Sequence, residues 1–332
     1  MGLKGKSILR IRDLNAKEIM ELVDSTIAIK KAPANKVYPN TKGKKAVCFF
    51  SKSSSRTKSS WEVGTYELGM QSSFNDASSS QLGKKESFED SGQVFSQYYD
   101  IIGWRCMKYE DIKNLADHSD IPVINLLCNK NHPTQIICDI ATIKTHFKKI
   151  KGIKVAFVGA CNNNVARSLI EAVVSLGGEY IGIGPKKEFP EADELKFYQD
   201  LAKKNGGKVS FSSEIKDIKG ANVIYQDVFL DLGESADLWP ERLKMYTGYQ
   251  VNDDLVKYAD KNYIYMHCLP AINGSKSEYT EYVSKNFGSK FPWVKNGEVE
   301  VTASVFNSKH SVVFEQAQNR LHAMKAIIKA VL

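Results

Sequence analysis

The sequence predicts an α/β fold of two domains, each a mainly parallel β-sheet flanked by helices. Three observations lead there. Short apolar runs alternate with amphipathic helical stretches through most of the chain, the pattern of βαβ units. A polar hinge, Lys148-Lys149-Ile150-Lys151-Gly152, interrupts that alternation once, and a fresh series begins after it. The length, 332 residues, suits two domains of moderate size.

In the first half, Asp13-Leu14-Asn15-Ala16-Lys17-Glu18 followed by Ile19, Leu22 and Ile27 reads as a capped amphipathic helix. Residues 45–50 (KAVCFF) form a short apolar strand that runs into the serine-rich turn 51–58, with a helix over 60–70. Strand 72–75, helix 85–99, strand 101–104, a short helix around 112–116 and strand 122–125 continue the alternation. A helical pattern over 134–147 leads into the hinge.

In the second half, strand 154–159, helix 164–175 and strand 179–183 are followed by helix 191–205 and strand 208–212. Strand 222–225 stops at Asp227, and strand 263–266 ends at His267-Cys268-Leu269-Pro270. The segment 313–332 has strong helix character from Gln316 onward. Parallel sheets place ligands at the carboxyl ends of their strands, and polar clusters stand at several such ends: residues 51–58, Arg105, 161–164, Asp227 and 267–270.

Composition excludes several classes. With 42% hydrophobic and 25% charged residues the chain is that of an ordinary globular protein. No apolar run approaches the roughly 18–20 residues of a membrane span, and the first residues, MGLKGKS, carry no apolar leader, so a cytoplasmic protein is expected. Six scattered cysteines show neither a disulfide framework nor zinc spacing, so no metal is expected. The balance of 46 basic against 38 acidic residues gives +8, but no long basic run or basic-aromatic array suggests nucleic acid; a small anionic substrate is compatible. Only seven of the basic residues are Arg: Arg10, Arg12, Arg56, Arg105, Arg167, Arg242 and Arg320. A chain this rich in Lys keeps Arg where planar, multi-donor geometry matters.

Ser54-Ser55-Arg56-Thr57 gathers hydroxyls, a guanidinium and the N–H groups of a helix N-terminus, a combination suited to phosphate. Read alone it is more readily a serine-rich surface loop with one capping hydroxyl; its place directly after the apolar strand KAVCFF shifts that balance. His132-Pro133-Thr134-Gln135 sets a ring and an amide at the start of a helix. Cys268 follows a strand, as either an apolar filler or a polar contact at the sheet edge.

Taken together, FSKSSSRTKSSWEVG, SQLGKKES, the Arg105 region, HPTQ, FVGACNNNVARSL, DVFLDLGE, YQVN, MHCLPA and VVFEQAQNRLHAMKA resemble the aspartate/ornithine carbamoyltransferase family nearly end to end, most closely its ornithine branch. The resemblance implies a carbamoyl phosphate-binding domain over 1–148, an ornithine-binding domain over 149–315, and a C-terminal helix, 316–332, that returns to the first domain. It places carbamoyl phosphate on Ser54, Ser55, Arg56, Thr57, Gln81, Arg105, His132, Gln135, the Leu269 carbonyl and Arg320. Arg105, His132 and Thr57 correspond to donors around the carbamoyl oxygen, an oxyanion-hole arrangement, and Gln135 to the residue facing the carbamoyl amide. Arg105, His132, Gln135, Cys268 and Arg320 form the implied catalytic set. Gln81 resembles a residue that reaches a neighbouring subunit's site, implying a homotrimer with active sites between chains. Carbamoyl transfer needs no cofactor.

For the amine, the resemblance assigns Asn163 to the amino-acid carboxylate and Asp227 to its ammonium, with Asp231, Leu232 and Cys268 completing the ornithine set. The chain departs from the family in places. Ser55 stands where Thr is common and Lys58 where Arg is; Asp231-Leu232-Gly233 replaces a Ser-Met-Gly loop; Arg167 replaces a frequent Asn; and Ile272-Asn273 replaces an aromatic-His step. Asp231 either strengthens ammonium binding or points to solvent. The implied reaction is carbamoyl transfer from carbamoyl phosphate to L-ornithine, giving L-citrulline and phosphate, or its reverse. The alternatives are a putrescine or other diamine carbamoyltransferase, which Asn163 argues against, and a catalytically silent binding protein. A nucleotide-binding oxidoreductase lacks its glycine fingerprint here, since Gly159 is followed by Ala160-Cys161.

Overall fold

The computed structural model describes residues 2–33, 36–76, 80–230 and 234–332. In chain order the first half holds α1 (Ala16–Lys31), β1 (Lys45–Phe50), α2 (Arg56–Glu67), β2 (Gln71–Asp76), α3 (Phe88–Tyr98), β3 (Ile101–Arg105), α4 (Tyr109–Asp117), β4 (Val123–Leu127) and α5 (Pro133–Phe147). There follow β5 (Lys154–Val158), α6 (Asn164–Ser175), β6 (Glu179–Ile183), α7 (Ala192–Asn205), β7 (Lys208–Ser212), β8 (Val223–Gln226), α8 (Trp239–Tyr246), α9 (Asp253–Val256), β9 (Ile264–His267), α10 (Glu278–Phe287), α11 (Ala303–Phe306) and α12 (Val313–Val331). The chain divides into two compact units: Met1–His146 with Arg167–Ala172 and Ala317–Leu332, and Phe147–Ala166 with Val173–Gln316.

The first unit carries a four-stranded sheet in the order β2-β1-β3-β4, and every strand pair in it is parallel. Because β1 lies between β2 and β3, the strand order reverses there, and the carboxyl ends of β1 and β3 flank the crevice where such sheets hold ligands. One side of the sheet is sealed by Val47, Phe49, Ile102, Trp104, Ile112 and Leu115. Gly103 is required by packing: a Cβ there would come within 2.5 Å of the fully buried Trp61 ring. The capping expected at the first helix is present, with Asn15 accepting from the Glu18 N–H and the Glu18 carboxylate accepting from the Asn15 N–H.

α12 packs within this unit from Ala317 onward, through Asn319 Nδ2 donating to Thr142 Oγ1 at 2.8 Å and Lys325 pairing with Glu67. Arg167–Ala172, expected with the second half, groups with the first. The reason is specific: Ser168 Oγ accepts from the His132 N–H, and the buried Glu171 carboxylate accepts from both the N–H and Nε of Arg12.

The second unit's sheet has the order β7-β6-β5-β8-β9, again parallel at every pair, with its reversal between β5 and β8. Ala156, Val158, Ile181, Ile183 and Ile224 fill one core, and Phe229, Trp239, Leu243 and Tyr246 fill another. The helix expected over 60–70 begins instead at Arg56, so the serine-rich turn is itself the helix entrance. Helices α8 and α10 have no counterpart among the sequence expectations. Charged and polar residues interrupt both, and α8 is held by the burial of Trp239, Leu243 and Tyr246.

Candidate active site

In the first unit, β1 delivers the chain to the turn at Ser51, whose N–H donates to the Arg105 carbonyl at the end of β3. The register between β3 and β4 shifts between Trp104 and Arg105, a bulge of the kind that re-aims a side chain at a site. Arg105 is buried at that strand end. Ser54 Oγ accepts from the Thr57 N–H at 3.3 Å; Ser55 and Arg56 are exposed at the first turn of α2, where backbone N–H groups and the helix dipole favour an anion. Beside this turn opens a cavity of about 670 Å³, lined among others by Lys52, Ser54, Lys58, Asp76 and Lys84. Lys52 and Lys84 do not stand out in the sequence, where they merge into a lysine-rich background. Lys58 Nζ lies 3.7 Å from the centre of the Phe74 ring.

Arg320 organises the buried part of this group. Its Nη2 donates to Thr57 Oγ1 at 2.9 Å, and its Nη1 lies 2.7 Å from Gln135 Oε1 and 3.2 Å from His132 Nε2. Residues as far as 263 positions apart thus converge on one guanidinium. A guanidinium only donates, so His132 Nε2 accepts and the ring proton sits on Nδ1, facing Thr134 Oγ1 at 3.4 Å. Burial, then the charges of Arg320, Arg105 and Arg56, hold the His132 pKa well below the ordinary imidazole value, so the ring is neutral. Gln81 is not gathered with them: it is exposed at the start of a turn in which its carbonyl accepts from the Lys84 and Glu86 N–H groups.

In the second unit the loops after β5, β8 and β9 bring Asn163, Asp227 and Cys268 together. Asn163 Nδ2 donates to Asp227 Oδ2 at 2.7 Å, and the Cys268 thiol donates to Asp227 Oδ1 at 2.7 Å. Asn163 has a second duty, because its Oδ1 accepts from the Ala166 N–H and caps α6. Gly159, at φ 103°, lets Phe229 close over the β5 turn, since a Cβ there would meet that ring at 2.5 Å. Leu269 stands at φ 57°, a left-handed conformation uncommon for a branched side chain and found where surroundings over-determine the backbone. Its N–H donates to His267 Nδ1 at 2.9 Å. Asp231 and Leu232 lie outside the described residues.

Two further carboxylates escape a reading of the sequence. Asp139, fully buried one turn after Gln135, accepts from Gln135 Nε2 at 2.8 Å. Glu300, also fully buried, accepts from the Phe229 and Ile272 N–H groups, so one side chain braces the loops that carry Asp227 and Cys268. A charge inside the apolar run Val299-Glu300-Val301 is the available signal. Among the described residues no group of acidic, His and Cys side chains is arranged to hold a metal, and no helix is long and apolar enough to cross a membrane.

Residues 6–145 match the family model described as the aspartate/ornithine carbamoyltransferase carbamoyl-P binding domain, and residues 151–331 match the Asp/Orn binding domain of the same family. The chain is 38% identical to a catabolic ornithine carbamoyltransferase of Treponema denticola, over 100% of this chain and 96% of that protein. It is 37% identical to one of Bacillus licheniformis, over 100% and 98%. Among solved structures, ornithine carbamoyltransferase from Pyrococcus furiosus superposes with a TM-score of 0.87 at 34% identity, covering 99% of this chain and 97% of that one. An anabolic counterpart from Campylobacter jejuni gives 0.82 at 27% identity, with 97% of each covered.

Proposed function

Because the chain belongs to the aspartate/ornithine carbamoyltransferase family, we propose that it transfers the carbamoyl group of carbamoyl phosphate to the side-chain amine of L-ornithine, giving L-citrulline and phosphate. The observation that carries this reading is the convergence of Thr57, His132 and Gln135 on Arg320. In the reaction the amine nitrogen bonds to the carbonyl carbon, the bond from that carbon to the phosphate oxygen breaks, phosphate leaves, and the amine loses a proton. Ser54, Ser55, Arg56 and Thr57 receive the phosphate, with Gln81 supplied by a neighbouring chain of a homotrimer. Arg105, His132 and Thr57 stabilise the charge that grows on the carbonyl oxygen, and Gln135 meets the amide. For His132 to donate, its proton must move to Nε2, so the Arg320 contact there must give way as substrate enters. The Leu269 carbonyl completes the carbamoyl contacts.

Asn163 and Asp227 take the carboxylate and ammonium of ornithine, with Asp231, Leu232 and Cys268 beside them. The catabolic names of several relatives support the reverse direction, carbamoyl phosphate formation from citrulline, as a second use of the same groups. A cytoplasmic location is supported by the six free thiols.

The deciding experiment measures carbamoyl transfer to ornithine, putrescine, aspartate, lysine and agmatine. Ornithine should exceed putrescine at least about tenfold in kcat/KM, since a diamine leaves carboxylate donors unmatched. Equal or better turnover of putrescine overturns the ornithine assignment.

A further inference from the structure

Gln135 is held at both ends of its amide by groups that permit one orientation. On one side the Asp139 carboxylate, an acceptor only, lies 2.8 Å from Nε2. On the other the Arg320 guanidinium, a donor only, lies 2.7 Å from Oε1. Turning the amide over would set its oxygen against a carboxylate and its NH₂ against a guanidinium, with all three side chains buried. The i, i+4 spacing on α5 places Asp139 on the same helix face as Gln135, and the Cys138 thiol also donates to Asp139, at 3.4 Å.

We infer that Asp139 is a positioning residue that fixes Gln135 with its oxygen presented to the acyl group, so that the protein selects an acyl phosphate ending in NH₂ over one ending in CH₃. The inference rests on the carbamoyl transfer reading above. Gln135 Oε1 has two lone pairs; one accepts from Arg320 and the other can accept from the carbamoyl amide. A methyl group of the same size offers no proton and leaves that acceptor unmatched, which is how sites reject analogues that lack a donor. Without the Asp139 acceptor only Arg320 opposes the flipped amide, and whatever fraction flips presents NH₂ and loses this selection.

The test compares binding of phosphonoacetamide, which copies the carbamoyl amide, with acetonylphosphonate, in which methyl replaces NH₂. Wild-type protein should prefer the amide by at least about tenfold, and Gln135→Ala should bring the ratio near one. Asp139→Asn, which can donate or accept, should lower the ratio at least about threefold while leaving acetonylphosphonate affinity within about twofold. In the Gln135→Ala background it should change the ratio no further. If Asp139→Asn does not melt as a folded protein, Asp139→Ser removes the same fixed acceptor. A wild-type ratio near one, an unchanged ratio in the Asp139 variants, or equal weakening of both ligands overturns the inference. Citrulline formation by the wild-type enzyme reports separately on the carbamoyl transfer reading, because the binding ratio can fail while turnover persists.

Discussion

The thiol of Cys268 donates to Asp227 Oδ1 across 2.7 Å, joining the loop after β9 to the loop after β8. With Asn163 on the other carboxylate oxygen and the Val228 N–H also on Oδ1, uncharged donors orient the Asp227 carboxylate, which suits it to the proposed role of meeting an ammonium. Cys268→Ala removes one of these donors to a charged acceptor and should lower kcat/KM for ornithine by roughly ten- to a hundredfold, with carbamoyl phosphate binding little changed. Cys268→Ser restores a donor and should recover part of the loss. A thiol with only a packing role would lower the melting temperature in both variants and leave kinetics unmoved; parallel melts and steady-state kinetics separate the cases.

Arg320 serves three partners with a planar set of donors, so lysine cannot replace it. Arg320→Lys should reduce kcat/KM for carbamoyl phosphate by about a hundredfold or more. Arg320→Gln should also let the His132 pKa rise toward the ordinary imidazole value, because the largest charge that opposes its protonation is gone while burial remains. Histidine NMR titration reads this directly: the variant ring titrates at higher pH than the wild-type ring, whose pKa lies well below the ordinary imidazole value.

Glu300 carries a pH dependence of stability. Burial, partly offset by backbone N–H groups, pushes its pKa from the usual 4.5 up to about 7. Below about pH 4.5 the group is protonated in both folded and unfolded chains. Between there and about pH 7 the unfolded chain ionises first, so the unfolding free energy falls as pH rises, by roughly 3 kcal/mol in all. Glu300→Gln should remove that fall. Denaturant titrations at pH 5 and pH 7.5 check it, and an equal change in unfolding free energy for both proteins would contradict the assignment.

The proposed homotrimer is tested by mixing weakened chains. Arg56→Ala and Gln81→Ala homotrimers should each be weak, whereas denaturing and reassembling them together should recover some activity. Random assembly creates sites in which both residues are wild type only if they come from different chains. No gain in the hybrids would place both in one chain's site or leave Gln81 without a role.

The strands that frame both groups were legible because their cause is local. KAVCFF, Val155 to Val158 and Tyr263 to Met266 are apolar runs bounded by polar turns, and nearly every such run became a strand of a parallel sheet. The turn proposed to bind phosphate is legible too, since hydroxyls and an Arg at a strand-to-helix junction advertise their chemistry within four residues. The helix starts at Arg56, ahead of the residue 60 that the sequence predicts, because the Ser-rich residues after Arg56 have no apolar period and the helix there rests on burial of Thr57 and Trp61.

The sequence by itself determined the alternation of elements and the family, and it named most of the residues proposed for the site. Tertiary structure alone decided what those residues do to one another. Asn163, proposed to hold the substrate, is also a helix cap, His132 is a neutral acceptor facing Arg320, and Asp139 and Glu300 are buried braces. The physical reason is range. Strand and helix patterns follow from neighbours a few positions apart, whereas protonation state, tautomer and amide orientation depend on donors and acceptors brought together by folding from distant points of the chain.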